Sequence, residues 1–124
     1  MALVLVVEDE LSMRRLIRRI LSGAGHNVLE ASNGFEALSL LAAGAPDLVI
    51  TDLFMPDKEG IETIRAIREE HADLPIIAMT GGGYHANLEL LGMAEKFGAN
   101  ARLAKPFRRE ELLEAVEKLL GGKG

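Results

Sequence analysis

The hydrophobic pattern divides the chain into alternating segments of two kinds. Short apolar runs rich in β-branched residues are typical of strands buried in a parallel sheet, and the pattern predicts strands at 3–7, 27–31, 48–52, 75–80 and 101–104. Between them apolar residues recur every three or four positions, which predicts helices at 13–23, 33–43, 60–71, 87–97 and 109–120. This alternation predicts an α/β fold in which right-handed crossovers place helices on both faces of a five-stranded parallel sheet.

Individual segments carry finer expectations. The run 27–31 mixes apolar and polar residues, so we place it at an edge of the sheet. In the first helix the predicted inner face is Met13, Leu16, Ile17, Ile20, Leu21 and Ala24. The opposite face is interpreted as a solvated stripe of Arg14, Arg15, Arg18 and Arg19. The histidines lie in predicted turns or at helix ends and are expected to be solvent-exposed: His26, His71 and His85.

Composition narrows the class of protein. The 124 residues suit one compact domain, expected over 1–120 with a flexible tail at 121–124. The absence of cysteine excludes disulfides and thiolate metal sites. The first residues lack the basic start of a signal peptide, so we expect a cytoplasmic protein with no membrane partner. The net charge of −5 argues against a nucleic-acid partner, because neutralising phosphates requires a basic surface.

Polar side chains stand at the ends of four predicted strands. Glu8 and Asp9 follow the first strand, Asp52 ends the third, Thr80 ends the fourth and Lys105 follows the fifth. The carboxyl ends of parallel strands converge at one edge of a sheet, which is where such folds place their chemistry. Two carboxylates about 4 Å apart repel by roughly 4 kcal/mol at an effective dielectric constant near 20, so a cation is expected there. Oxygen ligands without imidazole or thiolate favour a hard cation, Mg²⁺, with Mn²⁺ as an alternative.

A metal at this edge gives Asp52 a chemical role. A carboxylate can attack phosphorus and form an acyl phosphate, a reaction that needs positioning and neutralisation of the phosphoryl oxygens. We predict that Mg²⁺ contacts one of these oxygens, the Lys105 ammonium a second and the Thr80 hydroxyl a third.

Several motifs, in order and at matching spacing, resemble the receiver domain of two-component response regulators. They are Val6–Glu10, Ala31–Leu38, Thr51–Pro56, Glu59–Gly60, Met79–Thr80 and Leu103–Phe107. The resemblance covers essentially the whole chain and implies a flavodoxin-like (βα)5 fold with strand order 2-1-3-4-5. It also implies that Asp52 takes a phosphoryl group from a histidine kinase or a histidine phosphotransfer protein. The implied metal ligands are Glu8 or Asp9, Asp52 and the backbone carbonyl of Phe54, and the implied Lys105–Pro106 bond is cis.

The chain departs from this family at three positions. Arg102 replaces the usual aromatic switch residue, so coupling between Thr80 and an aromatic ring cannot operate here. Phe54 is bulkier and less polar than many family members carry, and we predict that it shields the acyl phosphate from water. Arg108 stands where a capping Ser, Thr or Asp is expected, so the last helix should begin poorly capped.

The resemblance leaves the output open. We expect an unidentified partner at the surface formed by helix 87–97, strand 101–104 and helix 109–120, and no turnover of an external substrate. In this family the first helix docks the phosphodonor, so its arginines could instead steer that partner. Two alternatives remain: a receiver-like scaffold independent of phosphorylation, suggested by Arg102, and an aspartate-nucleophile phosphatase. The phosphatase would need a second acid two residues beyond Asp52, where Phe54 stands.

Overall fold

The computed structural model describes the backbone at 2–53, 59–80 and 88–121, and the side chains there except at 59 and 88–91. Its five strands are β1 (Leu3–Val7), β2 (Asn27–Ala31), β3 (Leu48–Asp52), β4 (Ile76–Thr80) and β5 (Ala101–Ala104). Its five helices are α1 (Leu11–Gly23), α2 (Gly34–Ala43), α3 (Glu59–Glu70), α4 (Leu88–Lys96) and α5 (Arg109–Gly121). All ten lie at their predicted positions within two residues at each end. Helix α5 includes Gly121, which we expected in the tail, and residues 122–124 lie outside the described ranges.

The strands form one parallel sheet in the order β2-β1-β3-β4-β5, so the strand order implied by the resemblance is confirmed. β2 is an edge strand, as its mixed composition predicted. The order reverses direction between β1 and β3, and ligands of open α/β sheets bind outside the carboxyl ends of the strands at such a point.

Two hydrophobic clusters cover the two faces of the sheet. Leu5, Val7 and Val49 face one cluster, which α2, α3 and α4 complete. The alternate strand residues Val4 and Val6 face the other, which α1 and α5 complete. Successive strand residues point to opposite faces, so a strand that is apolar throughout is buried on both sides. The predicted helices on both faces are confirmed.

The start of α2 is capped as the sequence predicted, whereas the start of α5 is capped better than predicted. The Asn33 side chain accepts a hydrogen bond from the Glu36 backbone N–H at 2.9 Å, and Glu36 Oε1 accepts from the Ser32 N–H, which together cap α2. Before α5, the Arg108 N–H donates to Glu111 Oε1 at 2.7 Å. This is one of the two hydrogen bonds of a capping box. The start of α5 therefore has a satisfied backbone N–H that the presence of Arg108 did not predict.

The predicted exposure is wrong for three side chains: Leu16 and Ala24 were expected to face the core, and His26 was expected to face solvent. Ala24 is exposed at the C-cap of α1. Leu16 is 42% exposed because the buried stripe of α1 runs through Ile17 and Leu21, one turn apart, and Leu16 lies to its side. His26 is buried, with Nδ1 accepting from the Ala2 N–H at 3.3 Å and Nε2 lying 3.3 Å from Glu117 Oε2. The ring fills the space where the starts of β1 and β2 meet α5. His71 is half-buried and His85 lies outside the described residues.

No helix within the described ranges has both the length and the apolar character that crossing a lipid bilayer requires.

Candidate functional site

The parallel register brings the polar strand ends to one edge of the sheet. Val7 of β1 lies beside Thr51 of β3, so Glu8 follows β1 at the level of Asp52. Asp52 lies beside Met79, and the next residue, Thr80, lies beside Ala104 of β5. Lys105 follows Ala104 at the same edge, and its backbone N–H donates to the Thr80 carbonyl at 2.8 Å. The predicted convergence of four strand ends is therefore observed.

Three carboxylates gather at this edge. Glu8, Asp9 and Asp52 each offer an oxygen, and the three oxygens lie within 4.8 Å of one another. Glu8 is 1% exposed and Asp52 3%, whereas Asp9 is exposed. The cluster could hold a metal ion, and ligands that are all oxygen suit a hard cation.

The Lys105 ammonium lies between two of these acids. Its Nζ is 2.6 Å from Glu8 Oε1 and 3.3 Å from Asp52 Oδ2. Burial lowers the pKa of Lys105, but hydrogen bonds and charge attraction from Glu8 and Asp52 outweigh it, so the net pKa is raised. The Lys105–Pro106 peptide bond is cis. Lys105 is thus held as a cation against both carboxylates.

The positive charge of the Lys105 ammonium alone is smaller than the negative charge of the three carboxylates. Burial raises the pKa of Glu8 to about 7, a rise that the Lys105 hydrogen bond opposes and the Asp52 charge reinforces. The ordinary Glu pKa is 4.5, so ionised Glu8 is held at a cost that additional positive charge at the cluster would relieve. This electrostatic demand fits a divalent cation.

Glu8 is also held by several backbone contacts. Its N–H donates to the Ala31 carbonyl at 3.0 Å, its Oε2 accepts from the Glu10 N–H at 3.1 Å, and its carbonyl accepts from Arg14 Nη1 at 2.8 Å. Glu10 itself is the exposed N-cap residue of α1, without a side-chain capping bond. The turn after β1 is therefore fixed from three directions.

Sequence reasoning missed two residues that shape the site. Arg14, predicted to lie in a solvated stripe, is half-buried and contacts Glu8, whereas Arg15 and Arg19 are exposed as expected. Gly60 packs so closely against the end of β3 that an added Cβ would lie 2.5 Å from the Asp52 carbonyl oxygen. The acidic residue Glu30, on the predicted edge strand, could have indicated a partner for Arg14. For Gly60 the sequence offered only its place in the Glu59-Gly60 pair, which does not predict a close backbone contact.

Of the remaining predicted site residues, one is buried, one is exposed and one lies outside the described residues. Thr80 is fully buried at the end of β4. Arg102 is exposed on β5, with Nε 3.7 Å from Glu95 Oε2. Phe54, both as a carbonyl ligand and as a shield for the acyl phosphate, lies outside the described residues, and both of its roles stay predictions.

The chain has relatives over nearly its whole length. A family model, the response regulator receiver domain, matches residues 4–117. Sporulation initiation phosphotransferase F of Bacillus subtilis (strain 168) is 31% identical over 117 residues, which are 94% of this chain and 92% of that protein. The DNA-binding transcriptional regulator NtrC of Escherichia coli (strain K12) is 36% identical over 118 residues, which are 95% of this chain. The chain spans 24% of NtrC.

Solved structures give the same match. The crystal structure of the receiver domain of NtrX from Brucella abortus superposes with a TM-score of 0.89 at 32% identity. The superposition covers 95% of this chain and 98% of that one.

Proposed function

Because the chain belongs to the response regulator receiver domain family, we propose that it is a phosphorylation switch in which Asp52 accepts a phosphoryl group. The phosphodonor in this proposal is a histidine kinase or a histidine phosphotransfer protein. The observation that carries it is the carboxylate cluster of Glu8, Asp9 and Asp52 with the Lys105 ammonium against two of its members.

The metal of this proposal is Mg²⁺, with Mn²⁺ as a substitute. Glu8, Asp9 and Asp52 would hold it, together with the backbone carbonyl of Phe54. The all-oxygen donor set and the excess of negative charge support this assignment. When bound, the ion supplies neutralisation of the charge on the phosphoryl oxygens.

The proposed transfer is a displacement at phosphorus. A carboxylate oxygen of Asp52 bonds to phosphorus as the bond from phosphorus to the donor imidazole nitrogen breaks. The electron pair of the broken bond stays on that nitrogen, and the imidazole, protonated on its other nitrogen, leaves neutral. Lys105, already 3.3 Å from Asp52 Oδ2, then contacts one phosphoryl oxygen, and the Thr80 hydroxyl contacts another.

The proposed output is a change of conformation and not a released product. We assign Thr80 and Arg102 as the switch positions and the surface of α4, β5 and α5 as the site for an unidentified output partner. The protein would be cytoplasmic, turn over no external substrate, and act through a receiver domain that extends to the end of α5 at Gly121. NtrC is a DNA-binding transcriptional regulator, but this chain matches 24% of its length, so DNA binding is not part of the proposal.

The two alternatives have less support. A phosphorylation-independent scaffold would have no need to bury Glu8 and Asp52 around Lys105. An aspartate-nucleophile phosphatase would need a general acid where Phe54 stands.

The test is phosphorylation by acetyl phosphate with Mg²⁺, followed on a phosphate-affinity gel. We expect a shifted band in the wild type, its loss on hydroxylamine treatment, and no shifted band in Asp52→Asn. Asp47→Asn is the matched control, since Asp47 is exposed at the other end of β3, where it accepts from the Leu3 N–H. An unshifted wild type, or a shift that survives in Asp52→Asn, would overturn the proposal. Sustained hydrolysis of p-nitrophenyl phosphate would favour the phosphatase.

A further inference from the structure

One arginine of α1 reaches back to the turn that carries two of the clustered carboxylates. Arg14 Nη1 donates to the Glu8 carbonyl at 2.8 Å, and Arg14 Nε donates to Glu30 Oε1 at 2.9 Å. The Arg14 side chain is 16% exposed, so most of it is removed from water. A guanidinium with two donors used in different directions can bridge two groups in a fixed geometry.

Glu30 anchors the far side of this bridge. It lies on β2 beside Val6 of β1, and its second oxygen accepts from Arg18 Nη1 at 2.6 Å. Burial alone would raise the pKa of Glu30, but the hydrogen bonds from Arg14 and Arg18 outweigh it and the pKa is lowered. Glu30 is therefore an ionised acceptor that holds Arg14 in place.

The contact at Glu8 acts on the peptide group between Glu8 and Asp9. That group is planar, so fixing its carbonyl oxygen fixes the direction in which the chain enters Asp9. The Asp9 side chain is exposed, and its position depends on the backbone from which it projects. The Glu8 carbonyl thus links Arg14 to the geometry of two carboxylates.

We propose that Arg14, anchored by Glu30, is a positioning residue that orients the Glu8–Asp9 turn for divalent-cation binding. The inference rests on the proposed function, since it assigns a residue to the cation site of that switch. Arg14 does not touch the cation or the phosphoryl group in this assignment; it acts through the backbone of Glu8.

Positioning and simple electrostatics predict opposite signs. A guanidinium near the cluster repels a divalent cation, so removing its charge should tighten cation binding if charge were its only effect. Removing a group that orients ligands should weaken binding, and loss of such outer contacts costs about 10-fold in metal affinity.

The experiment measures Mg²⁺ affinity by calorimetry and the Asp9 amide shift by NMR in wild type, Arg14→Gln, Arg14→Lys and Arg18→Gln. We expect about 10-fold weaker binding in Arg14→Gln, partial recovery in Arg14→Lys, and no weakening in Arg18→Gln. Arg18→Gln is the matched control because it removes the same charge and one contact to Glu30, while Arg14 keeps the Glu8 carbonyl. The Asp9 amide shift should move without added Mg²⁺ in Arg14→Gln and stay in place in Arg18→Gln.

Each outcome has one meaning. Binding by Arg14→Gln that equals or exceeds the wild type overturns the positioning role while leaving the proposed function intact. A wild type that binds no Mg²⁺ overturns the proposed function, and the positioning role with it. If thermal unfolding shows that Arg14→Gln does not fold, Glu30→Asp replaces it, because that variant keeps both charges and shortens the side chain that anchors the guanidinium. Weaker Mg²⁺ binding in Glu30→Asp supports the role, and unchanged binding overturns it.

Discussion

Two cations three residues apart, Arg102 and Lys105, form ion pairs in opposite surroundings. The Lys105 side chain is 14% exposed, and the side chains of its partners Glu8 and Asp52 are 1% and 4% exposed. Arg102 on β5 is 53% exposed, and its partner Glu95 on α4 is 46% exposed. The distance from Lys105 Nζ to Glu8 Oε1 is 2.6 Å, whereas the distance from Arg102 Nε to Glu95 Oε2 is 3.7 Å.

The two ion pairs differ in how far water solvates their charges. Around Arg102, water and salt screen both charges, and such pairs contribute at most about 1 kcal/mol. Around Lys105, each acid has lost its hydration, and the raised pKa of Glu8 records that cost. A chain that needed only stability would gain little from this arrangement, since apolar residues often fill such space equally well. Buried charge at the sheet edge is therefore better explained by chemistry than by folding.

The largest expected effect comes from removing the buried cation. Lys105→Met leaves Glu8 and Asp52 without their ammonium, and breaking such a pair should lower the free energy of unfolding by about 3 kcal/mol at pH 8 without Mg²⁺. Urea denaturation measures this loss. Added Mg²⁺ should stabilise the variant more than the wild type, because it replaces the missing positive charge. Lys118→Met, at an exposed position of α5, is the control. A loss no larger than the control's would show that the buried pair is not distinctive.

The second largest effect comes from a glycine beside the buried site, Gly60, compared with a glycine on α4 near the exposed Arg102–Glu95 pair, Gly92. Gly60→Ala places a Cβ 2.5 Å from the Asp52 carbonyl oxygen and 2.6 Å from the Leu53 Cα, both backbone atoms that cannot easily move. We expect destabilisation by about 2 kcal/mol and slower phosphorylation. Gly92→Ala, at an exposed position of α4, meets nothing within 4 Å and should stabilise by roughly 0.5–1 kcal/mol. Thermal melts of both variants test the contrast, and equal shifts of the same sign would contradict it.

The sequence was sufficient for features set by local pattern. Continuous apolar runs located strands buried on both faces, and Asn33 with Glu36 located the start of α2. Polar residues at four strand ends indicated the site, because parallel topology alone brings those ends together. The strand order itself came from the resemblance and not from the pattern.

Contacts between distant segments were not predictable in the same way. Leu16 satisfies the helical spacing, yet the orientation of α1 on the sheet turns it outward. His26 is buried because Ala2 and Glu117, far apart in sequence, meet beside it. Arg14 belongs by spacing to a polar face, and only the position of β2 beside β1 brings Glu30 within reach.

The half-buried pair Arg14–Glu30 should contribute less to the free energy of unfolding than the Lys105 pairs and more than the Arg102 pair, and its contribution should depend on pH. The folded-state pKa of Glu30 is lowered, so its stabilising contribution is present above the ordinary value of 4.5 and is lost as pH falls through the folded-state pKa. We expect Glu30→Gln to cost about 1 kcal/mol at pH 7 and progressively less below pH 4.5. Urea denaturation of both proteins across this range is the measurement, with Glu69→Gln at an exposed position as the control. A difference that grows on acidification would contradict the assignment.

The smallest effect should come from Arg102. Arg102→Ala removes an exposed pair at 3.7 Å, and both charges return to water, so the free energy of unfolding should change by less than about 0.5 kcal/mol. Mg²⁺ affinity should stay within about twofold, because Arg102 is exposed and its charge is screened by water and salt. Glu95→Ala should match it, as expected for two partners of one weak pair. Calorimetric Mg²⁺ titration of both variants is the measurement. A severalfold change in Arg102→Ala alone would mean that this exposed arginine is coupled to the buried site already in the unphosphorylated protein, which would contradict the contrast between the two regions.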